Sequence, residues 1–231
     1  MNTAAIMRRL ARWHIWLGWL VGVPIVLWLA SGLFMTLRPI DEVRGEDLRR
    51  ALPPMPLVIA GSTLADPQAR LKDMRVVMQD GRAIAILTGL DGTVRRVDFA
   101  SGAALPALDA AAARALVAER IVGGDTATRV TLFPADRTPF DFRRSLAVWQ
   151  VMLADGTHVY VGRDTGEIEA VRTRWWRWFD VAWGLHIMDV SAREDTSHPL
   201  LIGFAALSLT GALLGCVLMF RRRKAGRSGI A

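Results

Sequence analysis

Cysteine is almost missing from this chain of 231 residues, and Cys216 is the only one. No disulfide can therefore cross-link it, and no cluster of thiolates can hold a metal. Histidine is nearly as scarce: His14, His158, His186 and His198 are the whole supply. The sequence also lacks a Ser/His/Asp arrangement, an H-E-x-x-H helix and a phosphate loop with its lysine, which argues against a stand-alone hydrolase or kinase. The acidic run Asp41, Glu42, Glu46 and Asp47 has the oxygen ligands a hard cation takes. Arg44 in its middle makes a solvated charged segment the simpler reading.

Long apolar runs are what the chain does have. Residues 15–37 and 199–220 carry no charge, and a hydrocarbon core of about 30 Å takes about 20 apolar residues in a helix. Each run is expected to be a transmembrane helix. A cleaved signal peptide has an apolar core of about 7–15 residues before a small-residue cleavage site. The first run here is 23 residues long and places Trp28, Leu33, Phe34 and Met35 in its last third, so it is expected to remain as a span.

Basic residues flank both runs: Arg8, Arg9 and Arg12 before the first, and Arg221, Arg222, Arg223, Lys224 and Arg227 after the second. Such residues stay on the cytoplasmic side, which puts both tails (1–14 and 221–231) inside and the segment between the spans outside. The formal net charge of +7 divides accordingly. The tails hold eight of the 29 basic residues and none of the 22 acidic ones, leaving 21 against 22 in the middle. The excess is a topology signal, so no nucleic-acid partner is expected.

Residues 38–73 read as a charged stalk and lead-in, ending in the proline-rich Leu52-Pro53-Pro54-Met55-Pro56. Short β-prone runs follow at 74–79, 83–88 and 94–99, split by Asp80-Gly81 and Asp91-Gly92 turns, which predicts a small antiparallel sheet. Asp109 as N-cap and Gly123-Gly124 beyond the end predict a helix over Ala110–Arg120. Further strands are expected at 128–133, 147–153, 158–163 and 168–172. The two halves repeat: Asp91-Gly92-Thr93 with Ser101-Gly102 has the same internal spacing as Asp155-Gly156-Thr157 with Thr165-Gly166. The fold class is α+β, with a first β repeat at 74–107 and a second, helix-bearing one at 108–172.

Residues 108–171, with the alanine-rich helix, the run Val148-Trp149-Gln150-Val151-Met152-Leu153-Ala154-Asp155-Gly156-Thr157 and then Val159-Tyr160-Val161-Gly162-Arg163-Asp164-Thr165-Gly166, resemble a PepSY domain. Arg12-Trp13-His14-Ile15-Trp16-Leu17-Gly18 and Trp183-Gly184-Leu185-His186-Ile187-Met188-Asp189, leading to His198-Pro199-Leu200-Leu201, resemble the PepSY-associated transmembrane helices. The likeness runs from 11 to 223 and is weak between 41 and 71. It departs from larger members in having two spans rather than four or more. It implies a bacterial inner-membrane protein with a periplasmic sheet domain that binds a protein or peptide as a regulatory or assembly module. The alternative it admits is a b-type haem electron-transfer subunit linked to ferric-siderophore reduction.

Residues 173–198 are expected to lie along the membrane surface. Trp175, Trp176, Trp178 and Trp183 suit a headgroup layer, and Arg174 and Arg177 suit lipid phosphates. Three histidines fall at membrane boundaries, and neutral imidazole is a common haem ligand, so His14, His186 and His198 are candidate haem ligands under that alternative. His14 begins the first span inside and His198 precedes the second outside, about a bilayer apart. One iron cannot take both from one chain, and a homodimer pairing each histidine with its copy is the arrangement expected. His158, alternating with Val159 on a strand, is expected to face solvent. The pairs Gly18/Gly22 and Gly211/Gly215 favour close helix contact, and Pro24 is expected to kink the first span.

Overall fold

The computed structural model describes residues 3–51 and 71–227, so the proline-rich stretch at 52–56 lies outside the described residues. The chain divides into two compact units, Met1–Pro39 with Trp178–Ala231, and Ile40–Arg177.

The first unit is helical. Helix α1 (Thr3–Met35) continues through Pro24 and packs along α5 (Pro199–Arg227). Within them Ala5–Met35 and Pro199–Phe220 are long and apolar enough to cross a membrane. Large side chains on both stay uncovered, Trp16 at 72% and Leu209 at 62% exposure among them. Water would penalise that apolar surface and lipid would not. Helix α4 (Arg174–His186) ends in this unit, the division falling between Arg177 and Trp178.

The loop after α4 is tightly built. Asp189 is 4% exposed, and its carboxylate accepts the backbone N–H groups of Ala192, Glu194 and Asp195 and the Ser191 hydroxyl. Burial alone would raise its pKa, but these four bonds outweigh it and hold the group well below the usual carboxylate range. Arg193 Nη1 donates to Asp180 Oδ2 at 2.7 Å, and Trp183 Nε1 donates to Arg193 O at 3.2 Å. Asp189→Ala leaves those N–H groups without their acceptor. It is expected to raise amide exchange across 187–197 and expose the loop to protease, while α1 keeps its protection.

The second unit holds two four-stranded antiparallel sheets. The first contains β1 (Leu71–Gln79), β2 (Arg82–Gly89), β3 (Val94–Asp98) and β4 (Ala104–Leu105) in that order. The second contains β5 (Ala127–Phe133), β6 (Val148–Leu153), β7 (His158–Gly162) and β8 (Ile168–Arg172). The internal repeat is carried into the register. Ile84 pairs with Asp98 as Val148 pairs with Gly162, and Leu87 with Arg95 as Val151 with Val159, each a shift of 64 residues. The Asp-Gly-Thr turns match too: Asp91 and Asp155 each accept the N–H and hydroxyl of the threonine two residues on. The copies differ before this point, because Met74 pairs with Leu87 but Val130 with Val151, a shift of only 56. Between equivalent paired positions the second copy therefore carries eight extra residues, all within the β5–β6 connection.

Helix α3 (Ala110–Arg120) begins at Asp109, whose carboxylate accepts the N–H of Ala112 at 2.7 Å. Its Ala113 and Val117, with Ile121 just beyond, form an i, i+4, i+8 stripe against Val151, Val159, Val161 and Val171. A short helix α2 (Ile40–Arg44) and a bridge from Arg49 to Ile121 replace the plain stalk expected at 38–51. Gln79 ties the two sheets together: its Nε2 donates to Thr165 O at 2.9 Å, and Arg96 Nη1 steadies it by donating to its Oε1 at 3.0 Å. Arg75 bonds Glu167 across the same joint. A Cβ at Gly166 would run into the Arg96 guanidinium, and its φ of +66° disfavours a side chain. Gly166→Ala is expected to cost about 1–3 kcal/mol, read as a lower urea midpoint of the detergent-solubilised chain.

Candidate functional site

Two of the three histidines of the helical unit, His14 and His186, sit in seats of one design. His14 Nδ1 lies 3.0 Å from Gly211 O, and its Cε1 would be 2.9 Å from a Cβ built on Gly215. His186 Nδ1 lies 3.2 Å from Trp28 O, and its Cε1 would be 3.2 Å from a Cβ built on Gly32. In each seat the ring reaches a helix carbonyl at position i and rests on glycine at i+4. Side chains on a helix lean toward the N-terminus, so one at i+4 would cover that carbonyl, and glycine uncovers it.

A carbonyl only accepts, so each seat suits the ring form with its proton on Nδ1, and among the described residues neither Nε2 has a hydrogen-bond partner. A metal-ligating imidazole is oriented in this way, its second nitrogen donating to a carbonyl. The two seats are far apart: position 14 and positions 28–32 of α1 are separated by about 25 Å along the axis. His198 is built differently, since Leu200 N–H donates to its Nδ1 at 3.4 Å. That bond leaves the ring proton on Nε2. Among the described residues nothing lies within 4 Å of a Cβ built on Gly18 or Gly22, whereas Gly211 lies against Leu17.

The residues expected at the membrane surface separate into outward and inward groups. Trp178 is 63% exposed and Arg174 is exposed. Trp175 is half-buried, and Trp183 spends its N–H on Arg193 O. The Trp176 ring carries the Arg172 guanidinium at 4.2 Å, and Arg177 donates to Gly156 O and Arg172 O. Among the described residues no three acidic, cysteine or histidine side chains gather to hold a metal, the run from Asp41 to Asp47 included.

In the sheet unit His158 does not simply face solvent. It is half-buried and its Nδ1 lies 3.1 Å from Asp141 Oδ2. Tyr160 donates its hydroxyl to Asp141 Oδ1 at 2.5 Å, Gln150 Nε2 donates to the Tyr160 oxygen at 2.6 Å, and Arg172 Nε donates to Asp141 O at 2.7 Å. Asp141 comes from the longer β5–β6 connection, which also seats Phe142 on Tyr160. Burial pushes the Asp141 carboxyl up, but the bonds from His158 and Tyr160 outweigh it and hold it below its ordinary value. The Tyr160 hydroxyl is pushed up by burial and by that carboxylate. The repeat itself signals this cluster: the first copy has Ile86, Val94 and Arg96 where the second has Gln150, His158 and Tyr160.

A cleft of about 1140 Å³ in the sheet unit is lined by α3, β1 and the 105–109 linker, with Arg49, Arg75, Arg96, Glu119, Arg144 and Glu167 on its walls. No protein family, curated protein or solved structure matches the chain.

Proposed function

We propose that this chain is a PepSY-like inner-membrane protein that carries haem b and passes electrons across the bilayer, with Nε2 of His14 and of His186 as the iron ligands. The observation that carries the reading is the twin seat: two imidazoles, each held through Nδ1 by a helix carbonyl beside a glycine, each with no hydrogen-bond partner on Nε2 among the described residues. Helix packing alone needs neither the same tautomer nor the same glycine spacing twice. Haem, when bound, supplies a one-electron ferric/ferrous couple.

The protein's own residues do the rest. The carbonyls of Gly211 and Trp28 favour a ring proton on Nδ1, Gly215 and Gly32 leave room for the rings, and the Trp28 indole stacks on His186 at 4.7 Å. The seats are too far apart to share one iron, so a second copy of the chain supplies the facing histidine of each. The open Gly18/Gly22 face of α1 is where two copies can approach closely. Both tails are cytoplasmic on the charge pattern, which puts the sheet domain in the periplasm, His14 near the inner face and His186 near the outer one. Ferric-siderophore complexes are the electron acceptor that the PepSY likeness favours. The test is haem content of protein purified from haem-replete cells. One haem per chain supports the reading, and folded, monodisperse protein without haem overturns it.

The cleft supports a second reading, in which the sheet domain is a periplasmic binding, regulatory or assembly module for a protein or peptide. Its walls carry charges of both signs beside the apolar Leu105, Leu108 and Leu116, which suits an extended chain better than a small apolar ligand. Crosslinking from position 116 in intact cells tests it. A discrete partner supports the module, and labelling of lipid alone counts against it.

A further inference from the structure

We infer that Ser31 is a positioning residue that locks the tautomer of His186 and so makes its seat unlike that of His14. The inference rests on His186 being a ligand through Nε2, as proposed above. Ser31 is 6% exposed on α1. Its hydroxyl donates to Trp28 O at 2.9 Å, a back-bond common for serine inside a helix. That bond uses the hydroxyl's only hydrogen, so the oxygen presents lone pairs alone to its other neighbour. The neighbour is His186 Nδ1, at 3.2 Å.

The ring nitrogen therefore faces two acceptors at 3.2 Å, Ser31 Oγ and Trp28 O. A lone pair on Nδ1 would meet two others, and a proton there is shared by both. The Trp28 ring, stacked within 15° of parallel, keeps the imidazole in the plane where both contacts are made. The only acceptor placed on His14 Nδ1 among the described residues is Gly211 O. An imidazole whose N–H is drawn by two acceptors is the more electron-rich donor to a metal, which stabilises the oxidised state.

The experiment combines side-chain ¹⁵N NMR of histidine in the haem-free chain with redox titration of the haem-loaded chain. The variants are wild type, Ser31→Ala and Ser31→Thr. The wild type is expected to show His186 with its proton on Nδ1, Ser31→Ala a mixture of tautomers, and Ser31→Thr the wild-type pattern. In the titration Ser31→Ala is expected to raise the midpoint potential of one haem component and leave the other in place, with threonine restoring it. A His186 protonated on Nε2 in the wild type, or a Ser31→Ala chain unchanged in both readouts, overturns the inference. A locked tautomer released by alanine in a chain that binds no haem upholds the positioning role of Ser31 and overturns the haem reading instead.

Discussion

His14→Ala and His186→Ala are each expected to lower bound haem by about half, and the double variant to abolish it, because each iron loses both of its paired ligands. The readout is haem per chain together with the reduced α band. Gly32→Val and Gly215→Val make the sharper test. Each leaves every histidine in place but puts side-chain carbons where an imidazole edge lies, since even a Cβ comes within 3.2 Å at Gly32 and 2.9 Å at Gly215. Valine at either position is expected to mimic loss of the histidine it faces, whereas Gly203→Ala, at an open position of α5, should leave haem bound to each chain. Equal effects at all three glycines would mean that helix packing alone is being perturbed.

Asp141→Ala is expected to destabilise the sheet unit by about 2–3 kcal/mol, the cost of stranding buried polar partners. Tyr160 loses its acceptor and His158 its carboxylate, while the bond from Arg172 to the Asp141 backbone carbonyl remains. Tyr160→Phe removes one of these bonds and should cost less, and a double variant should cost less than the sum because the groups act as one network. Acid acts on the same point. The folded Asp141 carboxyl lies below its unfolded value, so its contribution is fully present above the unfolded pKa and is lost as pH falls through the folded one. Stability measured by urea midpoint should therefore drop toward low pH in the wild type, with a shallower drop in Asp141→Ala.

Much of the fold was legible because its signals are local. Asp109 and the alanine run marked α3 to the residue, and Asp-Gly turns punctuated the strands. Apolar length alone found both long helices, although α1 begins twelve residues before the run at 15 because helical Ala4 to His14 needs no lipid to form. The start of β1 at Leu71 was missed by three residues, since the charged Lys72 and Asp73 mask an exposed edge strand. His14 and His186 stood out by scarcity, but what holds them did not. Gly211/Gly215 and Trp28/Gly32 come from helices distant in sequence from the rings they seat, and a Gly-x-x-x-Gly pair reads only as close packing. The Asp141 network was hidden for a related reason: an eight-residue insertion matters only once the two copies are overlaid.

The most direct measurement is a reduced-minus-oxidised optical spectrum of the full chain, purified in detergent from haem-replete cells. The expected result is a Soret shift with sharp α and β bands of bis-histidine haem, reduced in the Gly32→Val and Gly215→Val variants. A flat difference spectrum from folded, monodisperse protein would contradict it and leave the two imidazole seats as helix-to-helix hydrogen bonds.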